Sequence, residues 1–354
     1  MKKIVLTGGG TAGHVTPNIA LIDALQAEGY TLYYIGSYEG IEKNLIKDTG
    51  LPYYPISSGK LRRYLDFKNL SDPFKVIKGC FQATKLLHKL KPDIVFSKGG
   101  FVSVPVIIGA KLNRVPTILH ESDMTPGLAN KLCLPFATKV CTTFAETLKY
   151  LPKEKGVLTG SPIRENLLEG DRLTGIRLCG FTDRKPILML MGGSLGAKRL
   201  NDVLRSMLPG LLTKYQIVHL CGKDHLVSSL EQLEGYKQYE YVKEELPHLL
   251  AMTDVIISRA GSNAISELLA LRKPNILIPL PASASRGDQL LNAASFKAHG
   301  YSYVLEEESL TPEVLLQAID EVYNNRSQYL EHMQHSKSKN GIKNVVQEIV
   351  KLER

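Results

Sequence analysis

The chain has 354 residues, 44% of them apolar, and this length predicts two domains because single hydrophobic cores stop growing beyond roughly 250–300 residues. Its five cysteines form no Cys-x-x-Cys pair and no apolar run reaches about 18 residues, so we exclude a disulfide framework, a zinc site of that type and a membrane span, and expect a cytoplasmic protein without a signal peptide. The net charge of +9 lies entirely within residues 1–163, which indicates an anionic surface as a partner of the first half.

Short apolar runs alternate with helix-length segments along the whole chain, which is typical of parallel sheets covered by helices on both faces. We predict strands over Ile4–Thr7, Leu32–Ile35, Tyr53–Ile56, Ile94–Ser97, Thr117–His120, Val140–Thr143, Ile187–Met191, Ile217–Cys221, Val255–Ser258 and Ile276–Pro279. The turn-forming stretch Gly160–Ile163 divides them into two doubly wound domains, residues 1–163 and 164–340. Such domains are expected to face each other, with a ligand cleft at the carboxyl ends of their strands. The tail 341–354 reads as a helix, and the sequence does not decide which domain it packs on.

The first strand runs into the loop Gly8-Gly9-Gly10-Thr11-Ala12-Gly13-His14, and Pro17 follows. Its Gly-x-Gly-x-x-Gly spacing fits a dinucleotide fingerprint, but Pro17 places the helix start later than that fingerprint does. The loop therefore predicts an anion site of a different kind. His14 beside it is either a capping residue or a proton acceptor, a role that suits a neutral imidazole.

Residues 60–91 carry nine basic and two acidic side chains, and a helix is predicted from Ser71 with Asp72 and Pro73 in its first turn. Its apolar and basic side chains lie at helical spacing: Phe74, Ile77 and Phe81, with Lys75, Lys78, Lys85, Lys89 and Lys91. Two interpretations stay open, an amphipathic helix with core aromatics or an apolar patch rimmed by lysines on an anionic membrane. Nucleic acid is not expected, since no recognisable DNA or RNA module is present.

Further strands also end in polar or glycine-rich turns. Lys98-Gly99-Gly100 follows one strand, and the sequence leaves Lys98 open between an ordinary surface lysine and a part of this loop. The turn Gly192-Gly193-Ser194 opens the second half, and the segment from Arg259 to Glu267 follows a later strand, with Ser262 or Asn263 as the expected helix N-cap. Glu267 is either a helix-dipole residue or a carboxylate for a ribose diol. No metal-binding motif and no P-loop is present.

Taken together these segments resemble the MurG family of GT-B glycosyltransferases. The matching segments are Gly8–His14, Lys98–Ser103, His120-Glu121-Ser122, Gly192–Ala197, Arg259–Ser262 and Asp288-Gln289. The resemblance implies the GT-B fold and inverting transfer of N-acetylglucosamine from UDP-GlcNAc to the muramoyl C4 hydroxyl of lipid I, giving lipid II and UDP. It implies no cofactor and no catalytic metal. Its implied partners are the cytoplasmic membrane face, where the protein is peripheral, and cell-wall and cell-division proteins.

The resemblance also assigns roles to residues. The second domain is implied to bind the donor, through Arg164, Ser194, Val242, Ser262, Asn263, Ala264, Glu267, Asp288 and Gln289. The first domain is implied to bind the acceptor diphosphate, through Thr11, Ala12, Gly13, Gly99, Gly100 and Asp123. His14 and Glu121 are the candidate bases, and the helix with Phe74, Ile77 and Phe81 corresponds to a membrane patch. Ser122-Asp123 stand where many members carry Gln-Asn.

Three rival interpretations remain. A UDP-GlcNAc 2-epimerase has the same two-domain plan and needs no lipid acceptor. An NAD(P)-dependent oxidoreductase would rest on the first glycine loop, with Glu39 as a ribose acid, and would leave the second glycine loop unexplained. A non-catalytic membrane-binding protein is favoured only by the basic helix.

Overall fold

A computed structural model describes residues 2–59, 68–193, 196–283, 287–336 and 340–353. The chain divides into two compact units. Unit 1 comprises residues 1–164 together with 338–354, and unit 2 comprises residues 165–337. The chain therefore leaves unit 1 once and returns to it for its last helix.

Unit 1 alternates strands and helices in the order that the apolar runs predict. Its elements are β1 (Lys2–Thr7), α1 (Thr16–Ala20), α2 (Ile22–Ala27), β2 (Tyr30–Ser37), α3 (Ile41–Lys47), β3 (Tyr53–Ile56), α4 (Lys68–Leu90), β4 (Ile94–Ser97), α5 (Ser103–Leu112), β5 (Thr117–Glu121), α6 (Leu128–Cys133), β6 (Lys139–Thr142) and β7 (Gly156–Leu158).

The seven strands of unit 1 form one parallel sheet in the order β3-β2-β1-β4-β5-β6-β7. Its central strands are buried on both faces, which is why they read as continuous apolar runs. One face packs against α1 and α2 and the other against α4, α5 and α6. The order reverses direction between β1 and β4, and ligands of doubly wound sheets bind at such a switch point.

Unit 2 repeats this plan, and the last helix of the chain belongs to unit 1. The elements are α7 (Arg172–Cys179), β8 (Ile187–Met191), α8 (Lys198–Lys214), β9 (Gln216–Leu220), β10 (Tyr236–Tyr239), α9 (Leu246–Met252), β11 (Val255–Ser258), α10 (Ser262–Ala270), β12 (Asn275–Leu277), α11 (Asp288–Ala298), β13 (Tyr303–Val304), α12 (Pro312–Asn324), α13 (Arg326–Gln334) and, in unit 1, α14 (Ile342–Lys351). The parallel sheet of unit 2 has the order β10-β9-β8-β11-β12-β13, with its switch point between β8 and β11.

The helix α14 settles the packing of the C-terminal tail. Its buried side chains Ile342, Val345 and Ile349 join the core that α1, α2 and β1 form. Asn344 donates from Nδ2 to the main-chain oxygen of Thr159 at 2.9 Å, which fixes the helix to the end of the first sheet. At about 1.5–3 kcal/mol for each fully buried large aliphatic side chain, this face supplies the packing that holds the tail.

Three strands were not predicted from the sequence, and all three lie at sheet edges: β7, β10 and β13. An edge strand is short and partly exposed, so it lacks the apolar run by which central strands are recognised. The basic helix also differs from its prediction, because α4 begins at Lys68 rather than Ser71 and contains Pro73 inside it. The doubly wound architecture of both halves is confirmed.

Candidate active site

The loop after β1 is hydrogen-bonded to a buried carboxylate whose role was not predicted from the sequence. Glu42 is fully buried, and its Oε2 accepts from the N–H of Gly10 at 3.1 Å. Its Oε1 accepts from the N–H and the hydroxyl of Ser37. Gly10 has φ +86°, a conformation that favours glycine. The N–H that a dinucleotide fingerprint would direct at a pyrophosphate therefore binds a protein carboxylate instead, which argues against the oxidoreductase interpretation.

His14 ends a short 3-10 turn, Ala12–His14, that follows this loop. Its Nδ1 lies 3.1 Å from the main-chain oxygen of Gly9 and 3.2 Å from the hydroxyl of Thr11. Because a carbonyl oxygen only accepts, the contact with Gly9 fixes the proton of a neutral imidazole on Nδ1. The lone pair then lies on Nε2, the arrangement that a proton acceptor needs. Pro17 stands in the first turn of α1, as predicted.

The loop after β4 lies against the first loop. The N–H of Gly9 donates to the oxygen of Gly99 at 3.3 Å, and a Cβ added to Gly100 would come within 2.2 Å of the Gly9 oxygen. A Cβ added to Gly99 would lie 3.6 Å from Cδ2 of His14. The two glycine loops and His14 are therefore brought together at the carboxyl ends of β1 and β4.

Lys98, at the start of the second loop, is a buried lysine with 1% of its surface exposed. The ordinary surface interpretation is wrong. Its ammonium donates to Nδ1 of His120 at 2.8 Å and to the hydroxyl of Ser122. Burial lowers the pKa of Lys98 to about 8, against the opposing field of Glu121 and Asp123.

Glu121, a candidate base, has both carboxylate oxygens engaged by the loop that follows β5. Oε1 accepts from the N–H of Asp123 at 3.0 Å, and Oε2 accepts from the N–H of Gly127 at 2.9 Å and from Nδ2 of Asn130 at 2.8 Å. Burial raises the pKa of Glu121, while the hydrogen bond from Asn130 lowers it. This geometry suits a brace for the loop, and His14 is the better placed of the two candidate bases.

In unit 2, the turn after β8 rests on a buried network of neutral side chains. Asn201 donates from Nδ2 to the oxygen of Cys221 at 2.8 Å and accepts at Oδ1 from Nε2 of His219 at 2.9 Å. Nδ1 of His219 accepts from the hydroxyl of Tyr236 at 2.8 Å, and burial lowers the pKa of His219 to about 3. A Cβ added to Gly196, whose φ is +76°, would lie 2.3 Å from the Cys221 oxygen. Position 196 therefore requires glycine, because Asn201 holds the Cys221 carbonyl against it.

The ends of β11 and β12 are organised by two further side chains. Arg259 makes a bidentate ion pair with Glu307 at 2.8 and 2.9 Å, and its Nη1 also donates to the oxygen of Ile278. Oε1 of Gln289 accepts from the N–H of Leu280 at 3.0 Å. The N-cap of α10 is Gly261, so the predicted caps Ser262 and Asn263 are instead its first two helical residues. Its first turn carries no acidic residue, and Glu267 lies in the second turn.

The predicted donor residues occupy several parts of the fold. Ser262, Asn263, Ala264 and Glu267 lie on α10, partly exposed, and Asp288 and Gln289 open α11. Val242 is buried after β10, and Arg164 is the last residue of the first segment of unit 1. Ser194 lies outside the described residues. The roles of Glu42, Asn130, Asn201 and His219 were not predicted from the sequence. His219 leaves a signal, a polar residue in the apolar strand β9, whereas Glu42 and Asn201 stand among charged neighbours that leave none.

The basic helix α4 exposes its apolar side chains. Phe74 is 75% exposed and Phe81 is 74% exposed, with Ile77 at 54% between them. The interpretation of these aromatics as core is therefore wrong. In the part of the chain that the structure describes, no helix is long and apolar enough to cross a membrane. The same described residues contain no group of three or more His, Cys, Asp or Glu side chains arranged for a metal ion.

Comparison with known proteins covers both units. Residues 4–142 match the glycosyltransferase family 28 N-terminal domain, and residues 187–349 match the glycosyltransferase family 28 C-terminal domain. The chain is 60% identical over 346 residues, 98% of each chain, to the UDP-N-acetylglucosamine--N-acetylmuramyl-(pentapeptide) pyrophosphoryl-undecaprenol N-acetylglucosamine transferase of Lachnoclostridium phytofermentans.

Two solved structures bear on the alternatives. MurG of Acinetobacter baumannii is 28% identical and superimposes with a TM-score of 0.79 over 99% of this chain and 100% of its own. A UDP-GlcNAc 2-epimerase from Neisseria meningitidis, bound to UDP-GlcNAc, superimposes with a TM-score of 0.66 over 99% of this chain and 100% of its own. The epimerase is only 12% identical, so this likeness shows the fold alone.

Proposed function

Because the chain belongs to the MurG family within glycosyltransferase family 28, we propose that it transfers N-acetylglucosamine from UDP-GlcNAc to lipid I. The products are lipid II and UDP. The single observation that carries this proposal is the 60% identity over 98% of both chains to a transferase of that name. The epimerase likeness rests on the fold alone, so the transferase is favoured.

The proposed reaction is a direct displacement with inversion. The C4 hydroxyl of the muramoyl residue attacks the anomeric carbon of the donor sugar, a C–O bond forms, and the bond from that carbon to the UDP oxygen breaks. The hydroxyl proton passes to Nε2 of His14, whose Nδ1–H is directed at the Gly9 oxygen. The leaving UDP carries away the electron pair of the broken bond.

The acceptor is proposed to bind on unit 1. Thr11, Ala12, Gly13, Gly99 and Gly100 are assigned to its diphosphate, and backbone N–H groups in glycine-rich turns suit anions. The N–H of Gly99 donates to the hydroxyl of Ser97 at 3.2 Å, so Gly99 shapes this loop rather than offering its own N–H. Support comes from the contact between the two glycine loops beside His14. Asp123 lies in the loop that Glu121 braces, so it is held close to the same strand ends.

The donor is proposed to bind on unit 2. The family resemblance assigns Ser194, which lies outside the described residues, to the diphosphate. The α10 residues Ser262, Asn263, Ala264 and Glu267 line the nucleoside, and Asp288 and Gln289 contact the sugar. Val242 is assigned to the uracil and Arg164 to the donor by the family resemblance alone. The support for a donor site on unit 2 is that Val242 follows β10, that α10 follows β11, and that Gln289 on α11 accepts from the N–H of Leu280, just after β12. We propose that main-chain N–H groups, rather than a metal ion, stabilise the departing UDP.

We propose further that the protein works at the cytoplasmic face of the membrane. Exposed Phe74, Ile77 and Phe81, with Lys75, Lys78 and Lys85 on the same helix, give an apolar patch with a basic rim. Such a surface suits anionic lipid, which the lipid-borne acceptor also requires. Proteins of cell-wall synthesis and cell division are proposed as further partners on the family resemblance alone.

The direct test supplies purified protein with UDP-GlcNAc and a water-soluble lipid I analogue, and measures UDP release and the disaccharide product. Full turnover is expected in EDTA. Formation of an epimerised sugar nucleotide without acceptor would favour the epimerase, and turnover that appears only after Mg²⁺ is added would rule out the metal-free reaction. A melting-temperature shift with UDP-GlcNAc but none with NAD would exclude the oxidoreductase.

A further inference from the structure

Lys98 links the ends of three neighbouring strands of unit 1. It follows β4 directly, and its main-chain N–H donates to the oxygen of Thr7 at the end of β1 at 2.9 Å. Its side chain crosses in the other direction and donates to His120 on β5 and to Ser122 just after β5. The loops that carry His14, Gly99 and Asp123 therefore begin from strand ends that one residue holds together.

His120 accepts this contact in a defined state. Its Nε2 lies 2.9 Å from the oxygen of Gly160, and because that oxygen only accepts, Nε2 carries the proton. Nδ1 then offers its lone pair to the ammonium of Lys98. Burial and the nearby charge of Lys98 hold the pKa of His120 well below its usual range, so the imidazole is neutral and the lysine is the charged partner.

The charge of Lys98 is buried among few other titratable groups. His120, Glu121, Asp123 and the thiol of Cys141 face it from β5, the following loop and β6. Burial raises the pKa of Cys141 to about 12, so the thiol is neutral near pH 8, and Glu121 and Asp123 are the acidic side chains that favour the ammonium. Glu121 ends β5, and Asp123 lies in the braced loop that follows it. Loss of the proton from Lys98 would remove this attraction and leave an amine between His120 and Ser122.

We propose that Lys98, as an ammonium, is a positioning residue for the transfer reaction: it holds the loop from Glu121 to Gly127 in register with the loop that carries His14. The inference rests on the proposed transferase function and goes beyond it. It assigns no contact between Lys98 and either substrate, since only 1% of the surface of Lys98 is exposed. Its consequence is that turnover follows the protonation of Lys98, while donor binding on unit 2 does not.

The test compares Lys98→Met with Lys273→Met. Lys273 is the matched control, because burial also lowers its pKa to about 8, and its ammonium donates to the oxygens of Ala251 and Thr253, all within unit 2. With UDP-GlcNAc and the soluble lipid I analogue, Lys98→Met is expected to lower kcat by about 10- to 100-fold, the effect of a small misplacement of reacting groups. Its Kd for UDP-GlcNAc is expected to stay within about twofold of wild type, and Lys273→Met is expected to leave kcat within about twofold.

The pH dependence separates positioning by the charged form from a merely structural role. The kcat of wild type is expected to fall above about pH 8, whereas the residual kcat of Lys98→Met is expected to lack this decline. The free energy of unfolding is expected to rise with pH over the range in which kcat falls. The folded pKa of about 8 lies below the unfolded value of 10.5, so the unfolded chain binds more protons in that window, and wild type gains stability relative to Lys98→Met as the pH rises from about 8 to 10.5.

The possible results distinguish a failure of the role of Lys98 from a failure of the transferase function. An active wild type whose kcat stays level from about pH 7 to 9.5, or a Lys98→Met variant with wild-type kcat and pH profile, would overturn the role of Lys98. A wild type that releases no UDP would overturn the transferase function itself.

Should Lys98→Met not fold, Ser122→Ala removes one acceptor of the ammonium at a half-buried position. It is expected to lower kcat severalfold and shift the alkaline decline, and an unchanged profile would count against the proposal.

Discussion

In each unit, a buried histidine lies on the strand next to one that ends in a glycine turn. The two histidines have different hydrogen-bond partners. His120 on β5 accepts from the ammonium of Lys98, next to the carboxylate of Glu121. His219 on β9 accepts from the hydroxyl of Tyr236 and donates to the amide of Asn201. Both carry their proton on Nε2, so the charge of the hydrogen-bond partner, and not the tautomer, distinguishes the two histidines.

The difference indicates two ways to hold a loop. In unit 2, neutral hydrogen bonds fix the Cys221 carbonyl against Gly196 at any pH at which the histidine stays uncharged. In unit 1, the buried ammonium of Lys98 joins the strand ends, and its proposed role would couple the loops of that unit to pH near 8. We therefore expect changes in unit 1 to act on turnover or on acceptor binding, and changes in unit 2 to act on donor binding.

The largest effect is expected at His14. His14→Ala should lower kcat by roughly 10²- to 10⁴-fold, the usual contribution of a general base, because the Nε2 lone pair is lost. Steady-state UDP release gives kcat, and calorimetry should show a Kd for UDP-GlcNAc within about twofold of wild type. An equal loss of donor affinity would show that His14 serves the donor and would break the division between the units.

A pair of glycine variants tests that division directly. Gly100→Ala and Gly196→Ala each place a Cβ on a residue with positive φ and within 2.3 Å of a carbonyl oxygen. The strain of about 1–3 kcal/mol should weaken binding of the affected ligand by roughly 5- to 150-fold. Gly100→Ala is expected to raise the KM for the acceptor and Gly196→Ala the Kd for UDP-GlcNAc. Gly210→Ala on α8, where an added Cβ meets nothing, is the control. A reversed pattern would contradict the assignment of the two ligands.

The neutral network of unit 2 predicts a loss of stability in acid. The folded pKa of His219 is about 3 against 6.5 for an ordinary histidine, so the unfolded chain binds more protons and stability falls as the pH falls below 6.5. Between pH 6.5 and about 4.5 this histidine alone accounts for roughly 2–3 kcal/mol. Urea unfolding of His219→Gln should show a shallower acid decline than wild type. The exposed His335→Gln should match wild type, and a wild-type slope in His219→Gln would refute the effect.

The smallest effect on turnover is expected on α4. The double change Phe74→Ser and Phe81→Ser removes two exposed rings, so kcat with a soluble acceptor should change by less than about twofold. Cosedimentation with anionic vesicles should fall by about tenfold or more, because each buried aromatic contributes about 1.5–3 kcal/mol. Leu173→Ser, at a 57% exposed position of unit 2, is the control and should bind vesicles as wild type does. Unchanged vesicle binding by the double variant would exclude α4 as the membrane surface.

Central strands and glycine turns could be predicted because each leaves a local signal. Ile94–Ser97 is apolar at nearly every position because the sheet covers it on both faces, and its bounds are confirmed. The edge strands β7, β10 and β13 were missed because a strand with one unpaired side needs no continuous apolar run. Lys98 could not be placed either, since its burial depends on His120 and Ser122, more than twenty residues away in the chain.

The sequence by itself determined two β–α repeats, the glycine turns that follow their strands and a basic first half, because each depends on neighbouring residues alone. Only the tertiary structure decided that α14 returns to unit 1, that Glu42 binds the first loop and that Lys98 is buried against His120 and Ser122. These contacts join residues distant in the chain, and whether a polar side chain is buried or exposed there depends on which partners the packing brings to it.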